Sequence, residues 1–206
     1  MKKYLFIVLL TLLSPTLRAQ DNTWEQPEED ETEKTEKVNP NAKYLQGAVP
    51  EVDGKVVFQK TISTPGKTAD EIYAIVKRYM TRMTHEKNQV QSQIVLDDSL
   101  NHIIAGTYGE WLVFKSSALA LDRTKMMFVL TAKCQTGQAD IIMSRIHYLY
   151  DEERKPLRYK AEEWITDKQA VNKKNTRLLP ISGKFRKKTI DRKDFLFSKF
   201  ETLLNK

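Results

Sequence analysis

From Lys67 to Thr84 the chain reads KTADEIYAIVKRYMTRMT, and Ile72, Ile75, Val76, Tyr79, Met80 and Met83 recur at steps of three and four. That spacing puts them on one stripe of a helix of period 3.6. Thr68 and Glu71 have the spacing of a capping box, in which the threonine oxygen and the glutamate carboxylate each take an orphan backbone N–H. Before this helix, Lys55 to Ser63 alternates with Val56, Phe58 and Ile62 on one side, between the turn signals Asp53-Gly54 and Thr64-Pro65-Gly66. After it come four strand-like runs, Gln91 to Leu96, His102 to Lys115, Lys125 to Cys134 and Ala139 to Tyr150. The links Asp97-Asp98-Ser99, Leu121-Asp122-Arg123 and Thr136-Gly137-Gln138 are polar and of hairpin length, which predicts an antiparallel meander. Gly106 and Gly109 predict a bulge or bend near Tyr108. A last helix is predicted from Asp191 to Leu204, with Leu196, Phe197, Phe200, Leu203 and Leu204 on its apolar face.

The order is therefore β-α-β-β-β-β-α, an α+β plan with a curved antiparallel sheet of about five strands and both helices on one face. The other face has no plain polar pattern. Met126, Phe128 and Leu130 share one side of their strand, but Met127 and Val129 on the other are also apolar. In the next strand Ile142, Ile146, Tyr148 and Tyr150 alternate with Ile141, Met143, Arg145, His147 and Leu149. A one-sided sheet alternates more cleanly, so the second face is expected to be covered in part. The expected cover is Pro156 to Ile181, which carries Trp164, Ile165, Leu178, Leu179 and Ile181. Its uncovered remainder, with Met127, Val129, Met143, Arg145 and His147, is the expected docking place for a ligand or partner.

Composition divides the rest of the chain of 206 residues. Residues 1–19 carry Lys2 and Lys3, an apolar run from Tyr4 to Leu13, and a short tract ending at Ala19, the three-part pattern of a secretory signal peptide. The apolar run is about half the roughly 20 residues that span a bilayer, so membrane attachment is expected only through an uncleaved leader or envelope association. Residues 20–50 are expected to form an acidic disordered linker: Asp21 to Lys37 holds eight acids and two lysines, with Trp24 nearly alone as an apolar residue. Residues 51–150 form the α+β domain, and residues 151–206 a basic extension whose final helix packs on it. The formal net charge is +7, of which Lys2, Lys3 and Arg18 supply three, so the basic character of the mature chain is modest. From Arg154 to Lys206 there are 16 Lys or Arg against 6 Asp or Glu, densest at Lys184, Arg186, Lys187 and Lys188. Such a run either attracts anions or serves the surface and the acidic linker.

Catalytic signatures are missing from the sequence. His85, His102 and His147 are far apart, and no HExxH, paired cysteines, GxSxG elbow, phosphate loop or dinucleotide fingerprint occurs, so no metal, cofactor or catalytic residue is expected. Cys134, the single cysteine, reads as a small buried hydrophobe, and an intramolecular disulfide is ruled out. The paired acids Asp97-Asp98 and Glu162-Glu163 read as surface carboxylates.

The strand-helix-meander order, the run Ile146-His147-Tyr148-Leu149-Tyr150 and the stretch from Ser182 through Lys184, Phe185, Arg186, Lys187 and Lys188 to Asp191 resemble a family of exported Bacteroidota proteins of unknown function. The resemblance covers Gly54 to Tyr150. It implies a TATA-binding-protein-like fold and an exported, periplasmic or secreted, location, but no activity. A fold name does not carry DNA binding with it, and no nucleic-acid partner is expected. The expected function is a non-enzymatic module that binds a small molecule or protein at the cell envelope. A small hydrolase without a recognisable motif and a structural envelope component are the alternatives. Sequencing the N-terminus of protein from its native host checks the leader: the expected first residue is Gln20, and an intact Met1 would refute cleavage.

Overall fold

The computed structural model describes residues 39–117, 120–150 and 155–206. The expected leader and the linker up to residue 38 lie outside the described residues. Residues 39–50, assigned to the linker by composition, belong instead to the packed unit. A 3-10 turn, Ala42–Tyr44, precedes Val49, and Tyr44 and Val49 are each only 4% exposed.

Strands β1 (Glu51–Val52) and β2 (Lys55–Val56) form a hairpin. Its turn residues Asp53 and Gly54 have φ of 49° and 70°, as a two-residue hairpin of the favoured twist requires. The expected strand Lys55–Ser63 is thus broken at Val57, and its second part is β3 (Phe58–Ser63). Helix α1 (Ala69–Met83) follows, with Thr68 as N-cap and the capping box formed with Glu71. Val76, Met80, Met83 and Ile72 are fully buried along its stripe, while Ile75 lies at its partly buried margin.

Strands β4 (Gln93–Asp98), β5 (Ile103–Ser117), β6 (Ala120–Gln135) and β7 (Gln138–Tyr150) form the meander, and β3 pairs with β7, giving the order β3-β7-β6-β5-β4. This is the expected five-stranded antiparallel sheet. Leu121, Asp122 and Arg123, expected in a link, lie inside β6 opposite Ser116, Lys115 and Val113. No bulge occurs at Tyr108, because Gly106 and Gly109 stay in the regular ladder with β6. Gly106 has a different reason. A Cβ there would sit 2.8 Å from the Tyr108 ring, which folds back over it and donates its hydroxyl to the Met80 carbonyl at 2.9 Å.

A bulge does occur in β7. Met127 pairs with His147 and Val129 with Ser144, so Phe128 alone faces Arg145 and Ile146. Arg145 takes up the extra residue with φ of 54°, a left-handed conformation that costs a non-glycine residue about 1 kcal/mol. The bulge reverses the side-chain alternation: Ala139, Ile141 and Met143 face the helices before it, Ile146 and Tyr148 after it, and all five are at most 1% exposed. Met143 is therefore core, not part of the second face, and the mixed pattern of this strand comes from the phase change.

The extension adds β8 (Leu157–Lys160), which pairs with the end of β7, then α2 (Ala161–Trp164), α3 (Asp167–Ala170) and α4 (Ser182–Leu204). The segment expected to cover the second face does not do so. Trp164 stacks on Tyr159 at 3.9 Å and meets Phe185 edge-on at 5.8 Å, and Phe185 packs on Tyr148 and Phe114 from the helix side. The uncovered face keeps Met127, Val129 and Trp111 half-buried, with Arg123 3.9 Å over the Trp111 ring.

Helix α4 begins at Ser182 rather than Asp191, and two of its core-facing residues are arginines. Arg192 reaches Glu110 of β5 at 2.7 Å, with both side chains at most 1% exposed. Arg186 is fully buried and donates to the carbonyls of Tyr44 (2.6 Å), Ile165 (2.7 Å) and Leu45 (2.6 Å) and to the Asp167 carboxylate (2.6 Å). Arg186→Met leaves these acceptors without their donor and is expected to destabilise the fold by about 3 kcal/mol. Urea denaturation checks this.

Candidate functional site

The two strands that share the outer edge of β7 leave an interval between them. β3 pairs with β7 up to Met143 and β8 ends with Lys160 opposite His147, so Ser144, Arg145 and Ile146 lie in a gap in the edge. The bulge falls in that gap. Lys55 of the β1–β2 hairpin and the acids of α2 close over it, tied by the Val56 N–H donating to Glu162 at 3.0 Å. What remains is a cleft of about 510 Å³ lined by Lys55, Arg145, Ile146, His147, Tyr148, Arg158, Tyr159, Lys160, Glu162 and Glu163.

Its floor is fixed by packing. Ile146 and Tyr148 are core residues, and the Tyr148 hydroxyl shares a 2.7 Å hydrogen bond with Thr189 of α4. Burial pushes the Tyr148 phenol well above its usual value, so it stays protonated. Tyr159 is held by the Trp164 stack. The rim is charged. Glu162 is occupied by the Val56 N–H, and Glu163 lies 3.6 Å from Lys160. The side chains of Lys55, Arg145 and Arg158 are exposed and have no hydrogen-bond or ion-pair partner among the described residues. His147 is exposed with Nδ1 3.1 Å from the Arg145 carbonyl.

Of the residues singled out by sequence, the cleft brings together Arg145 and His147. Met127 pairs with His147 on the neighbouring strand, and Val129 follows on the same uncovered face. Met143 is buried beneath it. The basic run of α4 is elsewhere and largely engaged. Lys184 binds Asp122 at 2.6 Å and lies over the Phe114 and Tyr150 rings, at 4.5 and 4.9 Å. Arg186 is buried, Lys187 pairs with Asp191 at 3.3 Å, and Lys188 is half-buried. Sequence reading missed Lys55, Arg158, Tyr159 and Lys160. The alternation of Leu157 and Tyr159 with Arg158 and Lys160 was the available signal, in a run too short to stand out from a loop.

Other titratable groups are structural. The Cys134 thiol is buried and pushed up to about 12, which keeps it protonated and unreactive. His102 meets Asp70 at 2.8 Å, and Asp97 accepts from Lys77 at 2.6 Å and from the Tyr73 hydroxyl. Among the described residues no group of three or more His, Cys, Asp or Glu is placed to hold a metal ion.

An antiparallel sheet with two main helices on one face is the TATA-binding-protein-like α+β architecture, and the comparisons agree. Residues 58–149 match the family described as a domain of unknown function (DUF4468) with TBP-like fold. A DUF4468 family protein from Bacteroides ovatus is 41% identical, with a TM-score of 0.75 over 81% of this chain and 95% of that one. The chain belongs to the DUF4468 family. A TBP-like protein from Parabacteroides distasonis shares the fold at 18% identity, with a TM-score of 0.61 over 76% of this chain and 96% of that one. No curated protein matches the chain. The bulge of β7 lies inside the family region, whereas Lys55, β8 and α2 flank it.

One charged cluster outside the cleft has a measurable pH signature. Burial works to raise the Asp191 pKa, but hydrogen bonds from Lys43 and Tyr44 and the charge of Lys187 outweigh it and hold the carboxyl below 3.8. A depressed aspartate adds stability above its unfolded value and loses it as pH falls through the folded one. Asp191→Asn is therefore expected to be less stable than wild type at neutral pH, with the gap closing at pH values below 3.8. Thermal denaturation as a function of pH checks this.

Proposed function

We propose that the protein is an exported, non-enzymatic module that binds a small molecule at the cell envelope, and that the cleft at the gap in the β7 edge is its binding site. The observation that carries this reading is the cleft itself. Its volume of about 510 Å³ lies within the usual range of small-molecule sites, and an apolar, aromatic floor under a polar rim is their usual make-up. The leader pattern of residues 1–19 supports export. Binding rather than chemistry is supported by the lining. Its acids are engaged, Glu162 by the Val56 N–H and Glu163 by Lys160, and the chain's one thiol lies in the core with its acidity suppressed.

The test is small-molecule retention. Wild-type protein and His147→Trp, which places a bulky ring at the mouth, are passed through a metabolite extract of the native host, washed and denatured, and the released compounds are identified by mass spectrometry. The expected result is a compound retained by wild type, released unchanged and lost from His147→Trp. Equal retention by the variant would place binding outside the cleft, and release of a converted product would overturn the non-enzymatic reading.

A further inference from the structure

We infer that the group recognised in the cleft is an oxyanion, a phosphomonoester or carboxylate carried by a small organic molecule, and that Arg145 is the residue that grips it. This rests on the cleft being the binding site. Three observations carry it further. The first is the balance of uncommitted charge. Four cations and two carboxylates line the cleft, but Glu162 is taken by the Val56 N–H and Glu163 faces Lys160. The Val56 N–H is neutral and does not cancel the Glu162 charge, so the lining carries a net charge of +2, and Lys55, Arg145 and Arg158, from three different strands, have no side-chain partner among the described residues. A lining of net positive charge with unpartnered cations favours an anionic ligand over a neutral one.

The second observation is the residue type. Two of the three are arginines, whose planar guanidinium presents paired N–H donors in the spacing of two oxygens of a phosphate or carboxylate. The third is where Arg145 stands. At φ of 54° in the bulge, glycine is the residue the backbone prefers, yet the chain carries its longest cationic side chain there. Non-glycine residues in that region are found at ligand clamps and other functional sites, and of the four among the described residues, Asp53, His102, Arg145 and Asn175, Arg145 is the one that lines the cleft. The cleft's size assigns the anionic group to a small molecule rather than a polymer or a membrane surface, which would need an extended patch.

Because glycine suits the backbone at this position, Arg145→Gly separates binding from folding. Isothermal titration calorimetry at low ionic strength is run on wild type, Arg145→Gly and Arg145→Lys with inorganic phosphate, glucose 6-phosphate, galacturonate and glucose. Wild type is expected to bind at least one of the three anions, with affinity falling as NaCl is added, and not to bind glucose. Arg145→Gly is expected to keep or raise the melting temperature while losing affinity about tenfold or more, and Arg145→Lys, which keeps the charge without the fork, to fall between. Preference for glucose 6-phosphate or for galacturonate assigns the ligand as a phosphomonoester or a carboxylate. No binding of any anion at about 10 mM, or Arg145→Gly binding within about twofold of wild type, overturns the proposal. If wild type instead retains a neutral metabolite that His147→Trp loses, the cleft remains the site and only the oxyanion assignment falls. Equal retention by His147→Trp removes both.

Discussion

The buried guanidinium of Arg186 is the constraint on which the extension depends. A charge taken out of water is tolerated only if its donors are met, and here three carbonyls and one carboxylate meet them. Those acceptors come from separate pieces of chain: the turn at Tyr44 and Leu45, the junction after α2 at Ile165, and α3 at Asp167. None of these pieces is long enough to be stable alone. Asp167 also takes the Gly47 N–H at 2.8 Å, so the N-terminal turn is held from two sides. The residue before Arg186 adds the apolar half of the same joint. Phe185 is fully buried against Tyr148, Tyr150, Trp164 and Phe114. Together they fix α2, and with it Glu162 and the wall of the cleft.

The cleft follows from two irregularities in one strand. A regular β7 would have let a single partner run along its whole outer edge. The bulge at Arg145 changes side-chain phase, and the edge is shared between β3 and β8 with an interval between them. Bulges re-aim side chains and end pairing, and this one does both. The hairpin before β3 and the turn after β8 meet across the interval through the hydrogen bond from Val56 to Glu162, which roofs the gap without filling it.

Much of the architecture was legible in the sequence because it depends on local rules. The capping box at Thr68, the stripe of α1 and the turn signal at Asp53-Gly54 are local signals that stand where they were read, and the link read as Thr136-Gly137-Gln138 is a turn at Thr136-Gly137 with Gln138 opening β7. What escaped depended on tertiary context. The phase of β7 was misassigned because one residue of left-handed backbone at an arginine leaves no compositional mark, and Met143 went to the wrong face as a result. Helix α4 was cut short because its first turns carry Lys184, Arg186, Lys187 and Lys188, and Arg186 occupies a core position that hydrophobic periodicity reads as surface. Residues 39–50 are polar on average, and their order comes from Arg186 far along the chain. The cleft was half legible. Arg145 and His147 came from the strand pattern, whereas Lys55, Arg158 and Lys160 are brought to it by pairing that no local window contains.

The basic composition of the extension therefore divides into groups with different physics. Arg186 and Arg192 are buried, and each is matched by a carboxylate, with Arg186 reaching backbone carbonyls as well, so their charge is spent inside the fold. Lys184 and Lys187 lie at the surface but are answered by Asp122 and Asp191 and by aromatic rings. Within the cleft, the charge that remains available to a ligand is that of Arg158 and, from other elements, Lys55 and Arg145, while exposed cations such as Lys173, Lys174 and Arg177 lie outside it. A count of lysines and arginines points to the start of α4, but Lys184, Arg186 and Lys187 there are engaged within the fold. In a chain with a single cysteine, the two uses are linked. The buried arginines do part of the cross-linking of short segments that cystines often supply, and by holding those segments they keep the wall of the cleft in place for the cations that are free.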